Sequence, residues 1–234
     1  MSSNMQTREN RNRRERRQFL IAFALCYVLG LVVYLWINGA AIYARVKYQP
    51  QEGDVLFQSL PHSRLVDAIE GVTESPYSHC GIVAKRDNEW VVYEAIGDVR
   101  ATPLHTFLVR GRNQGFAVYR LKPQFRKSIP ETIQHVRRFL GRPYDVRYRM
   151  DDDSIYCSEL VFKAYQRATG EELGQLVRLG DMNWQPYRET IEYYEGGLVP
   201  YDRLMITPKD LAKAKQLERV MSHQLTVENS RESM

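Results

Sequence analysis

From Phe19 to Ile37 the chain runs for 19 residues without a charge, and after Arg17 the next charged side chain is Arg45. A backbone in hydrocarbon must satisfy its own N–H and C=O groups, so a run of this kind folds as a helix or lies buried on every side. At 1.5 Å per residue the helix spans roughly 28 Å, close to the thickness of a bilayer core. It is apolar all round, unlike the one-sided stripe of a surface helix, and Tyr34 and Trp36 stand near one end, where aromatic belts form. One transmembrane helix over residues 19–38 is the expectation, with a fully buried core helix as its competitor.

Charge orients that helix. Six arginines against two glutamates give the first 18 residues +4 of the chain's total of +5. An arginine-rich arm by itself reads as a nucleic-acid contact. Beside an apolar span it reads as the positive-inside flank, since only Arg45 and Lys47 follow on the other side. This places the N-terminus in the cytoplasm and the rest of the chain outside it, as in a single-pass protein of a bacterial inner membrane facing the periplasm, with no nucleic-acid partner. A cleaved secretory signal is the alternative, because Gly39-Ala40-Ala41 offers small residues for cleavage, but the run exceeds the roughly 7–15 apolar residues of such signals. The organisation expected is a basic arm (1–18), the span (19–38), a linker (39–52), one catalytic domain (53–207), and a C-terminal helix with a frayed tail (208–234).

Cys157, Leu160, Val161, Ala164 and Tyr165 form one helical stripe. Ser154 or Asp153 serves as N-cap and Gly170 as stop, giving a helix from about Ile155 to Thr169. Cys157 then lies in the first turn, where unpaired N–H groups and the helix dipole favour a thiolate. The Asp151-Asp152-Asp153 run opposes that effect. A lone cysteine on such a stripe is usually a small core residue, so partners decide its role. Ser78–Ala84 and Trp90–Ala95 read as a hairpin around Asp87-Asn88, which puts His79 near Ala95 or Glu94. A slip of one residue decides whether Glu94 shares the face of His79. If it does, Glu94 can orient the imidazole while His79 deprotonates Cys157.

The remaining elements read as scaffold: strands at Val55–Phe57, Gly97–Pro103 and Phe116–Leu121, and helices at Arg64–Gly71, Pro130–Leu140 and Pro208 to about Met221. Runs of strands with helices on one side indicate an α+β domain. Aromatic residues between 180 and 207 suit either a substrate groove or covering loops. Three cysteines make no disulfide framework. Cys80 follows His79, so strand alternation turns it to the opposite face and into the core, which argues against a Cys80–Cys157 bridge. Neither Cys-x-x-Cys nor His-Glu-x-x-His is present, so neither metal nor cofactor is expected.

Gly53-Asp54-Val55-Leu56-Phe57-Gln58, Ser75-Pro76-Tyr77-Ser78-His79-Cys80-Gly81, Tyr93-Glu94-Ala95-Ile96-Gly97, Thr102-Pro103-Leu104, Leu140-Gly141-Arg142-Pro143-Tyr144-Asp145 and Tyr156-Cys157-Ser158-Glu159-Leu160 occur in that order. Together they resemble the YiiX/YebB-like branch of the NlpC-type cysteine peptidases, circularly permuted papain-like amidohydrolases, over about residues 50–205. The resemblance implies an antiparallel sheet packed against helices, Cys157 as nucleophile, His79 as general base and Glu94 as the third polar residue. It also implies a tyrosine near the cysteine, for which Tyr156 and, less closely matched, Tyr144 are candidate substrate-binding residues. The substrate implied is a peptide or lipid-linked amide (or ester) of the cell envelope. A lecithin:retinol acyltransferase-like acyltransferase or deacylase is the alternative, although its Asn-Cys-Glu-His-Phe block differs from Tyr-Cys-Ser-Glu-Leu here. A retained but inactive binding module is the other, and the intact Cys, His and Glu set speaks against it.

Overall fold

The computed structural model describes residues 2–225. They form two units, one ending at Lys47 and the other beginning at Tyr48. The first is a single helix, α1 (Ser2–Lys47), in which the arm, the apolar run and most of the expected linker are continuous. The linker reading of 39–52 therefore needs correction: Ala40, Ala41 and Ala44 are strong helix formers, and the helix persists until Pro50 lies three residues ahead. Arg16–Lys47 is long and apolar enough to be a membrane span or a signal sequence, with Phe19, Leu25, Leu29 and Trp36 exposed.

The second unit is built on β1 (Val55–Gln58), β2 (His79–Arg86), β3 (Glu89–Ile96), β4 (Asp98–Pro103), β5 (Phe116–Leu121) and β8 (Leu217–His223), in the order β4-β3-β2-β1-β5-β8. Every pairing is antiparallel. The β2–β3 hairpin turns on Asp87 and Asn88, both at positive φ (52° and 66°), the backbone of a tight two-residue loop that Asn and Asp tolerate. One face, with Phe57, Cys80, Ile82, Tyr93 and Ala95, packs in the main core with α4 (Ile129–Arg138) and α5 (Cys157–Thr169). The other buries Leu56, Val83, Val92 and Val118, and α3 (Leu104–Arg110) packs against β3 and β4. This is the α+β, antiparallel architecture expected.

Three boundaries differ from the sequence reading. The helix expected to stop at Gly71, α2 (Arg64–Thr73), runs on to Glu74, which takes the left-handed conformation at φ 48°. Gly71 answers a different need, since a β-carbon there would lie 1.8 Å from the Tyr187 hydroxyl. The cysteine helix is capped by Tyr156 rather than Ser154 or Asp153, because the Glu159 carboxylate accepts the Tyr156 N–H at 3.0 Å. At the C-terminus, the helix expected from Pro208 to Met221 ends as α7 (Pro208–Ala212), and Leu217–His223 pairs with β5 instead. An open sheet edge offers backbone hydrogen bonds along the strand and overrides weak helical spacing. The tail from residue 226 onward lies outside the described residues. Two short strands, β6 (Val177–Arg178) and β7 (Leu204–Met205), and α6 (Arg188–Glu195) complete the unit.

Candidate active site

Cys157 is the first residue of α5, so its sulfur stands among the unpaired N–H groups of that helix end. His79 opens β2, and its ring is 2% exposed. Gly81 lies opposite Glu94 in the hairpin, which makes His79 and Glu94 a diagonal pair on one face rather than direct partners. Gly81 permits this closeness, since a β-carbon there would meet Val92 Cγ1 at 2.5 Å and Glu94 Cβ at 3.2 Å. His79 Nε2 lies 2.5 Å from Glu94 Oε2. The other ring nitrogen is thereby left for the Cys157 side chain, with which the imidazole hydrogen-bonds. The order Glu94–His79–Cys157 is that of an orienter, a base and a nucleophile.

Glu94 is fully buried and heavily partnered. Thr102 donates its hydroxyl to Oε1 at 2.5 Å, and Arg110 donates Nη1 to Oε1 at 3.0 Å and Nη2 to Oε2. Burial pushes the carboxyl up, but His79 and then Arg110 outweigh it and hold Glu94 at about 2. For His79, burial pushes down, while hydrogen bonds to Cys157 and Glu94 carry it up to about 9. The Cys157 thiol is held well below its ordinary value, first by a hydrogen bond from Cys80, against burial, and then by His79. A thiolate and an imidazolium side by side follow from these directions.

Cys80 faces the core, as strand alternation requires, and there it meets Cys157, with which it forms no bridge. Alternation separates His79 from Cys80 but not from a third group arriving at the end of β2. Both thiols are free. Burial, then contact with Cys157, raises the Cys80 thiol, so Cys80 keeps its proton and donates it.

Tyr156 is fully buried; its hydroxyl accepts the Ile206 N–H at 3.0 Å and donates to the Met150 sulfur. That arrangement fixes the chain immediately before Cys157. Tyr144 is half-buried, and its hydroxyl meets that of Tyr148 at 3.0 Å. Burial and the nearby Cys157 charge both raise Tyr148, whose ring lies 4.7 Å from that of Tyr156. The acidic run is offset locally: Asp152 binds Lys163 at 2.9 Å and also Arg167, and Lys163 reaches Glu159 at 2.7 Å. Burial, only partly countered by Lys163, pushes Glu159 up to about 8.

Sequence reasoning missed Arg110, Thr102, Gln58, Tyr148 and the Cys80 contact. Thr102 was within reach, because period two along β4 puts it on the Glu94 face. Gln58 stands beside His79 in the β1–β2 register, where its amide can donate to the Phe107 carbonyl and accept from Arg110. Arg110 comes from a separate helix and carried no local signal.

The family profile of permuted papain-like amidase enzymes, the YaeF/YiiX or C92 family, matches residues 49–221. The chain belongs to this family. YiiX of Escherichia coli K12, an uncharacterized protein, is 32% identical over 176 residues, which are 74% of this chain and 87% of YiiX. The crystal structure of YiiX from Escherichia coli O157:H7, there called a metalloprotein, superposes with a TM-score of 0.68 at 31% identity and covers 75% of this chain and 99% of that one. As a member of the C92 family the chain is a cysteine amidase/peptidase-like hydrolase with a permuted papain-like fold.

Proposed function

We propose that Cys157 attacks the carbonyl of an amide (or ester) substrate, with His79 as base and Glu94 as the group that orients it. The contiguous Glu94–His79–Cys157 set, fixed by Arg110, is the observation that carries this reading. The thiolate displaces the amine, which takes its proton from the His79 imidazolium, and water then resolves the acyl-enzyme. The Cys157 backbone N–H at the start of α5 is a donor to the developing oxyanion. Tyr156 acts as a positioning residue, while Tyr144, with Tyr148, borders the substrate side of the thiol. The substrate is a peptide or lipid-linked molecule of the cell envelope. α1 is an uncleaved single-pass anchor with its N-terminus in the cytoplasm, and the hydrolase domain lies outside it; the apolar length of the helix and the arginine-rich arm support this.

The metal associated with the Escherichia coli O157:H7 relative is not carried over. Among the described residues, no three His, Cys, Asp or Glu side chains converge to hold an ion, and no step runs through one.

Labelling with a thiol-directed acyl probe tests the assignment. Cys157→Ala abolishes labelling and His79→Ala weakens it strongly; persistence in Cys157→Ala, with Cys80 carrying the label, overturns it. Comparing envelope peptides and lipids in cells making wild-type or Cys157→Ala protein identifies what accumulates.

A further inference from the structure

Cys80 and Cys157 are free thiols, buried and in contact. Val83 donates its N–H to the Asp54 carbonyl at 2.8 Å. Alternation along the antiparallel β1–β2 ladder then turns the N–H groups of Gly81 and His79 towards β1 and that of Cys80 towards β3. The β2–β3 register, however, ends at Gly81 and Glu94. Beyond that end the Cys80 N–H meets the Cys157 sulfur instead of a strand, and the Cys80 thiol donates to the same atom. Backbone and side chain of one residue thus hold two sulfurs together, one on the sheet and one on the first turn of α5.

A hydrogen-bond donor at this position has no need of sulfur. A thiol is a weak donor; serine would supply a stronger one, and alanine would fill the same corner of the core. What a second thiol adds is chemistry with the first. A thiolate at a helix N-terminus is the form that peroxides attack. The sulfenic acid so formed passes on to sulfinic acid, an irreversible state, unless another thiol captures it.

We propose that Cys80 is the resolving thiol of Cys157, closing a reversible Cys80–Cys157 disulfide when a peroxide oxidises the nucleophile. This rests on Cys157 being that nucleophile. The thiolate attacks one oxygen of the peroxide: the S–O bond forms, the O–O bond breaks, and the departing hydroxide takes the His79 proton and leaves as water. The Cys80 sulfur then attacks the sulfenic sulfur. The S–S bond forms, the S–O bond breaks, and the hydroxide leaves with the Cys80 proton as a second water. Two thiols have lost two electrons and the peroxide has gained them. A dithiol reverses the link by exchange, so the switch turns acylation off without destroying the site.

The full chain in lipid nanodiscs, carrying Cys26→Ser so that two thiols remain, provides the test. It is exposed to hydrogen peroxide, alkylated in urea and digested. A Cys80–Cys157 linked peptide appears, two hydrogens lighter than its parts, and dithiothreitol returns both thiols together with labelling of Cys157 by the acyl probe. With Cys80→Ser added, Cys157 gains two or three oxygens instead, and dithiothreitol restores no labelling. The link is read in protein that keeps both thiols, so that arm stands even where Cys80→Ser does not fold. Cys157 carried to sulfinic acid while Cys80 is still alkylated overturns the proposal, as does recovery of Cys80→Ser as complete as that of its parent. Acyl-probe labelling before oxidation separates the two readings: labelling without a later link sinks the resolving role alone, and its absence from Cys157 sinks the nucleophile as well.

Discussion

Replacing Glu94 by glutamine removes one charge and almost no volume from the buried network around His79. The carboxylate lies 2.5 Å from the imidazole and is one of two groups that lift His79 to about 9 against the downward push of burial. A hydrogen bond to a charged partner is worth about 1.5–3 kcal/mol, and one pKa unit corresponds to about 1.4 kcal/mol. Glu94→Gln therefore lowers His79 by about one to two units, to about 7–8. The sign is fixed because the carboxylate stabilises the cationic ring, whose loss with rising pH ends proton delivery to the leaving group. Activity against an anilide substrate, whose leaving amine needs that proton, should fall on the alkaline side at correspondingly lower pH. Proton transfer weakened by the same energy lowers kcat/KM by about ten- to a hundredfold. NMR titration of histidine-labelled protein reads the ring directly, and the pH–rate profile reads its consequence. An alkaline limb still at about 9 in Glu94→Gln would mean that Cys157 alone sets the base, and the role given to Glu94 fails.

Cys80→Ala removes the foremost stabiliser of the Cys157 thiolate, so the pH midpoint for iodoacetamide alkylation of Cys157 should move upward and Cys80→Ser should restore part of the shift; an unmoved midpoint denies the contact any role. Tyr156→Phe leaves the buried Ile206 N–H without its acceptor, at about 1–3 kcal/mol, seen as a lower urea midpoint at unchanged slope. Arginine at both Leu29 and Val33 costs about 5–7 kcal/mol in membrane insertion, and the protein should move to the carbonate-soluble fraction; full retention in the membrane would contradict the anchor reading of α1.

Legibility in the sequence followed the range of the interactions. Strand alternation and the Asp87-Asn88 turn gave the hairpin, and the i, i+3, i+4 stripe gave α5 to within two residues. Both are local patterns. His79 and Glu94 were legible as partners because one hairpin register joins them. Arg110 was not, because its link to Glu94 depends on how α3 lies across β3 and β4. The contact of Cys80 with Cys157 likewise depends on where a helix from far along the chain meets the end of a strand. Leu211, Ala214 and Leu217 fitted a helix by spacing, and all three are buried, but burial was achieved by a short helix, a turn and a strand. A stripe of apolar residues records which positions are covered more faithfully than the path between them.

The pairing of β8 has a consequence for chain order. β1 and β8 both run antiparallel to β5, on its two sides, so they are parallel to one another and about 10 Å apart. The domain thus begins and ends on strands separated by a single neighbour. A crossover of about a dozen or more residues from the end of β8 back along the sheet to the start of β1, with new termini cut between β5 and α4, would keep every strand intact. Read along that rejoined chain, Cys157 comes first, then His79, then Glu94. The two orders are alternative ways of threading one set of contacts, and a protein re-cut in this manner should refold around the same thiol.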